Sequence, residues 1–286
     1  MKNVLNKVAA IHDLSGIGRC SLTVIIPILS AMGIQVCPVP TAVLSAHTGF
    51  ADSEIKDLTD YIPRALGHYK RLGEEFDCVY SGFLASNEQI DYCLDFFASF
   101  PDALKVVDPV MGDNGKPYRT YTKELCSRMG ELVAIADIIT PNTTEAAMLL
   151  GENPLQTVFT AQQAKSFLAR LAEKGPKTVV ITSVELADGT RCNVGFDKER
   201  SSFWKVPYQY VPASYNGTGD AFASVLIGAI LKGDSLPIAM NRATGFLELA
   251  VKTTYSYSSD PRCGVMLEAC LSWLIQNPTL CSYQPL

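Results

Sequence analysis

The chain has 286 residues, of which 48% are hydrophobic and 19% are charged, so it can fill the core of one large α/β domain or of two small ones. Its net charge of −5 disfavours nucleic acid and anionic membranes as partners, because no excess of positive charge is available to bind them. No apolar run approaches the roughly 18 residues that cross a bilayer, and the first ten residues lack a signal-peptide pattern. We therefore expect a cytoplasmic protein.

The first two thirds of the chain alternate strand-like and helical segments. Apolar, β-rich runs predict strands at 7–12, 34–39, 77–80, 104–107, 136–140 and 178–182. Helical patterns lie between the earlier runs, at about 20–32, 53–71 and 87–97. Because the strand-like runs lack polar alternation, they predict an α/β fold whose central, mostly parallel sheet carries helices on both faces.

The last third departs from this rhythm. Segments 190–196 and 203–211 carry more polar alternation and predict an antiparallel hairpin at the edge of the sheet. Helical patterns follow at 221–231, 238–253 and 265–275. The sequence shows no internal repeats or flexible linkers, so we expect a single domain over residues 1–286.

The strongest local motif is Asn-Gly-Thr-Gly-Asp at 216–220, directly before an apolar helical run. Two glycines at a helix start allow a tight turn, and the unpaired N–H groups of the first helical turn favour an anion such as a transferring phosphoryl group. Asp220 could accept a proton from an attacking hydroxyl. On this segment alone, a Gly-rich turn with Asp220 as a capping carboxylate is an equal alternative.

Two more polar turns follow predicted strands. In the sequence DPVMGD, Asp108 and Asp113 flank a turn and suit a metal ion, whereas the alternative is ordinary loop punctuation. In the sequence TPNTTE, Asn142 and Glu145 could face one site, whereas the alternative is a helix start with a capping box. Because ligands bind beyond the carboxyl ends of parallel strands, the three motifs should converge on one rim of the sheet.

The motifs GTGD at 217–220, DPVMGD at 108–113 and ADIITPNTTEA at 136–146 resemble, in this order, the ribokinase-like superfamily in its pyridoxal kinase and hydroxymethylpyrimidine kinase branch. The resemblance runs from the first strand at least to the helix after Asp220. It implies a ribokinase-like fold and an ATP-dependent kinase. It also implies that Asp220 is the catalytic base and that Gly217, Thr218 and Gly219 form an anion hole.

The resemblance further implies which residues act around the phosphates and cations. It implies Mg²⁺ and a monovalent cation, K⁺ or Na⁺, beside ATP. The implied metal ligands are Asp108, Asp113 and Glu145, and the implied nucleotide contacts are Asn142, Thr182, Ser183, Gly217 and Gly219.

Segment 45–50 (SAHTGF) bears on the acceptor, because it resembles a pyridoxal kinase segment in which the Thr touches the pyridine ring and the His lies beside it. These roles would fall on Thr48 and His47. Phe50 and Phe83 stand where pyridoxal kinases carry Tyr, so ring stacking would survive without a phenol hydrogen bond. The alternative is a connecting turn in which His47 is satisfied locally.

Segment 12–18 is more similar to the start of hydroxymethylpyrimidine kinases, and Asp13 and Ser15 within it are expected substrate contacts. Asp13 could bond a ring hydroxyl, a ring nitrogen or an amine, and a carboxylate there would favour a cationic amine such as that of pyridoxamine. The alternative is that Asp13 caps the following helix.

Segment 114–119 is polar, contains Gly and Pro, and resembles the flap of the family, with Tyr118 as a flap tyrosine. A flap would exclude water from the reaction, whereas the alternative is a plain surface loop. The edge hairpin and the helices after Asp220 are the expected source of adenine contacts.

The expected activity is ATP-dependent phosphorylation of the hydroxymethyl group of a vitamin B6 vitamer. The first alternative is a hydroxymethylpyrimidine kinase of thiamine synthesis, which Asp13 favours and Thr48 disfavours. A catalytically silent binding protein is disfavoured by the intact GTGD motif, and a sugar kinase by the lack of a hairpin-rich insertion early in the chain. A homodimer is expected by analogy only.

Overall fold

The structure is a computed structural model that describes residues 5–118, 122–276 and 282–286. Its strands are β1 (Lys7–Ile17), β2 (Gln35–Ala46), β3 (Ile55–Asp57), β4 (Cys78–Ser81), β5 (Leu104–Val107), β6 (Gly112–Asp113), β7 (Lys116–Pro117), β8 (Ile138–Ile139), β9 (Val158–Phe159), β10 (Thr178–Leu186), β11 (Arg191–Asp197), β12 (Ser202–Pro207) and β13 (Gln284–Pro285). Its α-helices are α1 (Leu22–Ala31), α2 (Tyr61–Leu72), α3 (Asn87–Ser99), α4 (Lys123–Ile135), α5 (Thr143–Leu150), α6 (Ala161–Glu173), α7 (Thr218–Leu231), α8 (Leu236–Ser256) and α9 (Leu271–Gln276).

Eleven strands form the central sheet, in the order β13-β12-β11-β10-β8-β5-β4-β1-β2-β3, with β9 paired to β10. The six inner strands from β10 to β2 run parallel to their neighbours. The antiparallel strands β11, β12 and β13 extend one edge, and β3 pairs antiparallel at the other. The predicted mostly parallel sheet and its antiparallel edge hairpin are confirmed.

Both faces of the sheet are buried, which explains the continuous apolar runs. In β1, Ala9 and Ile11 join the core cluster that includes residues of α2, α3, α4 and α6. Val8 and Ala10, which alternate with them, join the cluster formed with α1, α7, α8 and α9. Helices therefore cover both faces, as predicted. None of the helices in the described parts of the chain has both the length and the apolar character needed to cross a bilayer.

Two predicted helices differ from the observed structure. The prediction of one helix over 53–71 is wrong at its start, because Ile55–Asp57 forms an edge strand on β2 and the helix begins only at Tyr61. Asp57 accepts hydrogen bonds from the Thr59 N–H and hydroxyl, which forms the turn between the two elements.

The helix predicted at 265–275 is shortened to a single 3₁₀ turn at Leu267–Ala269 followed by α9. The Met266 N–H donates to the hydroxyl of Thr254 on α8, at 2.7 Å, instead of to a carbonyl of its own segment. A side chain from another helix thus holds the backbone at the predicted helix start.

The order of the inner strands creates the crevice in which a ligand can bind. The chain runs from β1 outward to β2 on one side, and β4, β5, β8 and β10 follow on the other side of β1. In open parallel sheets the crevice at such a reversal is the usual binding site. β1 continues to Ile17 beyond its predicted end, with a bulge between His12 and Leu14 that places Asp13 beside this crevice.

Candidate active site

A cavity of about 670 Å³ opens at the carboxyl ends of the parallel strands. All of the predicted site residues except Ser15 line it, namely Asp13, His47, Thr48, Phe83, Asp108, Asp113, Tyr118, Asn142, Glu145, Thr182, Ser183, Gly217, Thr218, Gly219 and Asp220. The structure thus brings together residues that lie up to about two hundred positions apart in the sequence, as the open-sheet rule requires.

The start of α7 presents backbone donors to this cavity. Gly217, the residue before the helix, has φ 75°, and a Cβ there would collide with the Arg19 carbonyl oxygen. The turn therefore requires glycine. Ala221 N–H makes the first intrahelical bond, to the Gly217 carbonyl, so the amides of Thr218, Gly219 and Asp220 precede the hydrogen-bonded ladder. Together with the helix dipole they make an anion site.

Asp220, in the first turn of α7, has the properties of a general base. The Ser21 N–H donates to its Oδ2 at 2.8 Å. Burial raises the pKa of Asp220 to about 6; the Ser21 amide opposes this rise, and the charge of Asp13 adds to it. A carboxylate with a pKa near neutrality remains ionised at pH 7 but accepts a proton more readily than an ordinary one.

His12 lies directly behind this base. Its ring is fully buried, it packs edge-on against Tyr80 with centroids 4.3 Å apart, and its Nδ1 is 3.9 Å from Asp220 Oδ1. Neither ring nitrogen has a hydrogen-bond partner among the described residues. Burial lowers the pKa of His12 to about 3, so the ring is neutral and forms no ion pair with Asp220. A Cβ at position 82 would collide with the ring, which explains Gly82.

Asn142 and Glu145 form the capping box that the sequence left open as an alternative. Asn142 Oδ1 accepts from the Glu145 N–H, and Glu145 Oε2 accepts from the Asn142 N–H, both at 2.9 Å. The other Glu145 oxygen accepts from the Met111 N–H at 3.1 Å. Burial raises the pKa of Glu145 to about 8, although these amides oppose the rise. Asn142 and Glu145 thus cap α5 and also line the cavity.

Asp108 and Asp113 face the same region in different ways. Asp108 is buried, and burial together with the charges of Glu145 and Asp220 raises its pKa well above the usual range. Asp113 instead closes a turn, because its two oxygens accept from the backbone and side-chain nitrogens of Asn114. Within the described residues no three His, Cys, Asp or Glu side chains form a metal-binding group, so Asp108, Asp113 and Glu145 do not by themselves make a closed site.

The donor set nevertheless suits a hard divalent cation. Asp108 and Glu145 are buried carboxylates, and in the described parts of the chain no Lys or Arg side chain forms a salt bridge with either. Oxygen ligands with uncompensated negative charge beside an anion site are what Mg²⁺ takes in proteins, usually completed by water and substrate phosphates.

His47 is held by the protein on both ring nitrogens. Its Nδ1 accepts from the Gly49 N–H at 3.0 Å, and its Nε2 lies 2.6 Å from the Arg262 carbonyl oxygen, which requires that Nε2 carry the proton. Phe50 packs edge-on against the ring, with centroids 4.9 Å apart. This favours the alternative of a locally satisfied histidine, which lines the cavity with its ring and positions the neighbouring Thr48.

Asp13 is a buried carboxylate in the lining of the cavity. It is 5% exposed, and it accepts from the Ser15 hydroxyl at 2.9 Å and the Ser21 hydroxyl at 2.5 Å. Burial raises its pKa, and the two hydroxyls oppose the rise. Asp13 does not cap α1, whose preceding residue is Ser21. Ser15, predicted as a substrate contact, is fully buried and supports Asp13 without lining the cavity.

Segment 114–119 contains part of a two-stranded hairpin. β6 and β7 pair through Asp113 and Lys116, and the Tyr118 N–H donates to the Met111 carbonyl at 2.9 Å. The Tyr118 side chain lines the cavity and is 41% exposed. Arg119, the last residue of the predicted flap, lies outside the described residues.

The far end of the cavity lies between β10, the edge hairpin and α8. Ser183 sits at an irregularity of β10 with φ 60°, and its N–H donates to Asn193 Oδ1 at 3.1 Å. The hairpin side contributes Arg191, Tyr208 and Tyr210, and α8 contributes Thr244, Leu247, Glu248 and Val251. These are the elements from which adenine contacts are expected.

The sequence assigned no site role to two cavity residues, Ser21 and Asn216, or to His12, which lies behind Asp220. Ser21 precedes an apolar helix and therefore suggests only a helix cap. His12 ends an apolar run, where a satisfied core histidine is the ordinary expectation. Asn216 Nδ2 lies 3.1 Å from His47 Nε2, a contact between residues 169 positions apart that no local pattern reveals.

Comparison with known proteins gives consistent relatives. The family model described as phosphomethylpyrimidine kinase matches residues 29–262. A crystal structure of a candidate phosphomethylpyrimidine kinase from Bacteroides thetaiotaomicron VPI-5482 is 44% identical, with a TM-score of 0.96 over 100% of this chain and 99% of that one. Another crystal form of that protein contains pyridoxal.

Two further relatives carry different descriptions, one as a pyridoxal kinase and one as an enzyme of thiamine biosynthesis. The pyridoxal kinase of Lactobacillus plantarum is 32% identical, with a TM-score of 0.87 over 95% of this chain and 97% of that one. The chloroplastic thiamine biosynthetic bifunctional enzyme TH1 of Arabidopsis thaliana is 29% identical over 238 residues, 82% of this chain. The chain spans only 43% of the length of that bifunctional enzyme.

The two glycines of the anion site should respond differently to a methyl group. Gly217→Ala should lower the free energy of unfolding by at least about 1 kcal/mol, because alanine is strained at φ 75° and its Cβ meets Arg19. Gly219→Ala is the matched control, since its Cβ would come no closer than 3.8 Å, to Asp108. Denaturant unfolding measures both, and equal stability of the two variants would contradict the structure.

Proposed function

The chain belongs to the phosphomethylpyrimidine kinase family and has the ribokinase-like fold that its sequence predicts, and from this we propose that it transfers the γ-phosphoryl group of ATP to the hydroxymethyl group of a vitamin B6 vitamer. The acceptor is pyridoxamine, pyridoxal or pyridoxine, and the products are its 5′-phosphate and ADP. The observation that carries the proposal is that Asp220 and the first amides of α7 line the same cavity as Asp13 and Thr48. A base, an anion site and a polar ring site thus lie within reach of one bound molecule.

The chemistry needs one proton transfer and one displacement. Asp220 accepts the proton of the hydroxymethyl group while the oxygen of that group attacks the γ-phosphorus. The bond from the γ-phosphorus to the bridging oxygen breaks, and ADP leaves. The amides of Thr218, Gly219 and Asp220 stabilise the charge on the transferring group. Ser21 keeps the carboxylate oriented through its bond to Oδ2.

Cations belong to the same proposal. Asp108, Asp113 and Glu145 would hold Mg²⁺ together with phosphate oxygens and water, and the ion would neutralise phosphate charge. Asn142, Thr182 and Ser183 would contact the phosphates, and a monovalent cation, K⁺ or Na⁺, would bind nearby. The raised pKa values of Asp108 and Glu145 support a bound cation, because it would stabilise their ionised forms.

The remaining contacts complete the proposal. Thr48 and Phe83 would face the acceptor ring, His47 would position that wall, and Tyr118 would cover the bound ring. A cytoplasmic homodimer acting in vitamin B6 salvage is proposed on the resemblance alone.

Phosphorylation of the hydroxymethylpyrimidine of thiamine synthesis is the second candidate, and Asp13 is the observation that favours it. A competition assay decides between them: purified protein, MgATP and a potassium salt receive the three vitamers and hydroxymethylpyrimidine together, and the products are identified by mass. Predominant vitamer phosphates support the proposal. Predominant pyrimidine phosphate would assign the chain to thiamine synthesis, and ring binding without any product would point to a silent binding protein.

Replacing the base should abolish turnover without abolishing binding. Asp220→Asn should lower kcat by roughly 10²–10⁴-fold, because the amide cannot accept the proton while its shape preserves the Ser21 contact. Steady-state kinetics measures the loss, and calorimetry of ADP and vitamer binding is the control. Near-normal turnover in this variant would contradict the assignment of Asp220.

The kcat/KM for the acceptor should also decrease as the pH is lowered. Since burial raises the pKa of Asp220 to about 6, the carboxylate is protonated below that pH, and kcat/KM for the acceptor should fall about tenfold per pH unit there. Asp13→Asn should move this inflection to lower pH, because the charge of Asp13 raises the pKa of Asp220. An unchanged inflection in Asp13→Asn would argue against the coupling of these carboxylates.

Asp13 should also affect the choice of acceptor. Its carboxylate favours a cationic amine, so Asp13→Asn should lower the ratio of pyridoxamine to pyridoxal kcat/KM by about tenfold, the scale of one charge-assisted hydrogen bond. The ratio is measured with both vitamers in one reaction. If Asp13→Asn leaves it unchanged, Asp13 does not contact the amine.

A further inference from the structure

Ser21 connects the two carboxylates to which we assign different tasks. Its backbone N–H donates to Asp220 Oδ2 at 2.8 Å, and its hydroxyl donates to Asp13 Oδ1 at 2.5 Å. One residue therefore bonds both the base, which faces the reacting hydroxyl, and the acid at the ring end of the cavity. Ser21 is itself 6% exposed and lines the same cavity, so the connection is shielded from bulk water.

The backbone conformation of Ser21 is unusual, and its bonds to Asp13 and Asp220 stabilise it. It precedes α1 with φ 49° and ψ −133°, a conformation that residues other than glycine rarely adopt. Serine before a helix ordinarily turns its hydroxyl toward the first-turn amides, but this hydroxyl makes no such cap bond. Both hydrogen-bond donors of Ser21 are directed to carboxylates, and the helix start gains no side-chain cap.

Ser15 provides an internal comparison. Its hydroxyl also donates to Asp13, at Oδ2 and 2.9 Å, but Ser15 is fully buried and does not line the cavity. Among the described residues, the Ser15 hydroxyl bonds Asp13 and not Asp220. The two serines thus bond the same carboxylate, that of Asp13, but of the two only Ser21 also bonds Asp220.

We propose that Ser21 is a positioning residue that joins Asp13 and Asp220 into one unit, so that the ring substituent held at Asp13 sets the position of the base against the hydroxymethyl group. The inference rests on the proposed function. A ring donor can occupy a free lone pair of Asp13 while the Ser21 hydroxyl keeps its own, because a carboxylate accepts about four hydrogen bonds. Ser21 then fixes both the residue that binds the ring substituent and the residue that accepts the proton. Catalysis by positioning requires that these two groups be held in a fixed geometry.

The first test separates kcat from the acceptor KM in two matched variants. Ser21→Ala keeps the N–H to Asp220 but removes the bond to Asp13, and kcat should fall about tenfold, the scale of a hydrogen bond to a charged group. Ser15→Ala also removes one bond to Asp13, and it should act mainly on KM with a smaller effect on kcat. The same split between kcat and KM in both variants would overturn the proposal.

Ser21→Gly distinguishes positioning from a merely structural role. Glycine adopts a φ of 49° without strain, so this variant should unfold at the same temperature as wild type or at a higher one. If Ser21 only shaped the start of α1, its kcat would recover to the wild-type value. Under the proposal kcat stays as low as in Ser21→Ala, because the bond to Asp13 is missing in both.

A double-mutant cycle tests whether Ser21 acts through Asp13. In the Asp13→Ala background, which lacks the acceptor of the Ser21 hydroxyl, Ser21→Ala should change kcat by less than about twofold, because neighbouring groups of one network do not contribute independently. Effects that multiply independently would overturn the proposal. The assay uses whichever acceptor wild type phosphorylates best, so a wild type that is active only on the pyrimidine revises the substrate and still tests Ser21. A wild type that phosphorylates no ring alcohol overturns both.

Discussion

The architecture of the site depends on keeping several carboxylates buried, although in the part of the chain that the structure describes no Lys or Arg side chain forms a salt bridge with them. Asp13, Asp108 and Glu145 are almost fully buried, and Asp220 lies among them at the start of α7. Burying an ionised carboxylate is costly unless hydrogen bonds compensate. Here the compensation comes from backbone amides and serine hydroxyls, which leave the pKa of Glu145 near 8 and that of Asp220 near 6. These are the electrostatic properties that the proposed cation site and the proposed base Asp220 require.

This electrostatic constraint explains where the backbone departs from regular geometry. Ser21 takes a positive φ so that it can donate to two carboxylates, and Gly217 takes one so that the first turn of α7 faces the cavity. Gly82 lacks a side chain because the buried His12 ring occupies that volume behind Asp220. The positions are far apart in sequence, but all of them lie where the strands end. Before these strands reach the cavity their pairing is regular, as at 7–12 in β1 and 178–181 in β10, which gives the strained residues a rigid frame.

The sequence predicted the parts of this design that repeat or that depend on local chemistry. Uninterrupted apolar runs predicted the inner strands, because a sheet buried on both faces needs apolar side chains in both directions. It could not predict β3, since three polar or exposed residues pair there only because β2 offers a free edge. Nor could it show that both nitrogens of His47 are occupied, because one partner is the backbone of Arg262, 215 positions away. For Glu145 the two alternatives drawn from the sequence both hold, because it caps α5 and also lines the cavity.

The same arrangement bears on how this family can serve different rings. The amides of α7 and the carboxylates Asp108 and Glu145 lie where phosphate would be handled, so they can act on any primary alcohol delivered to Asp220. Under the proposed function, discrimination between a pyridine and a pyrimidine then comes from the few residues at the other end, among them Asp13, Thr48 and Phe83. Asp13 also reaches the base through Ser21, so a change of ring preference at Asp13 alters the surroundings of Asp220 as well. If Ser21 joins the two carboxylates as we propose, selectivity and rate are coupled through it, and a substitution that improves one is constrained by the other.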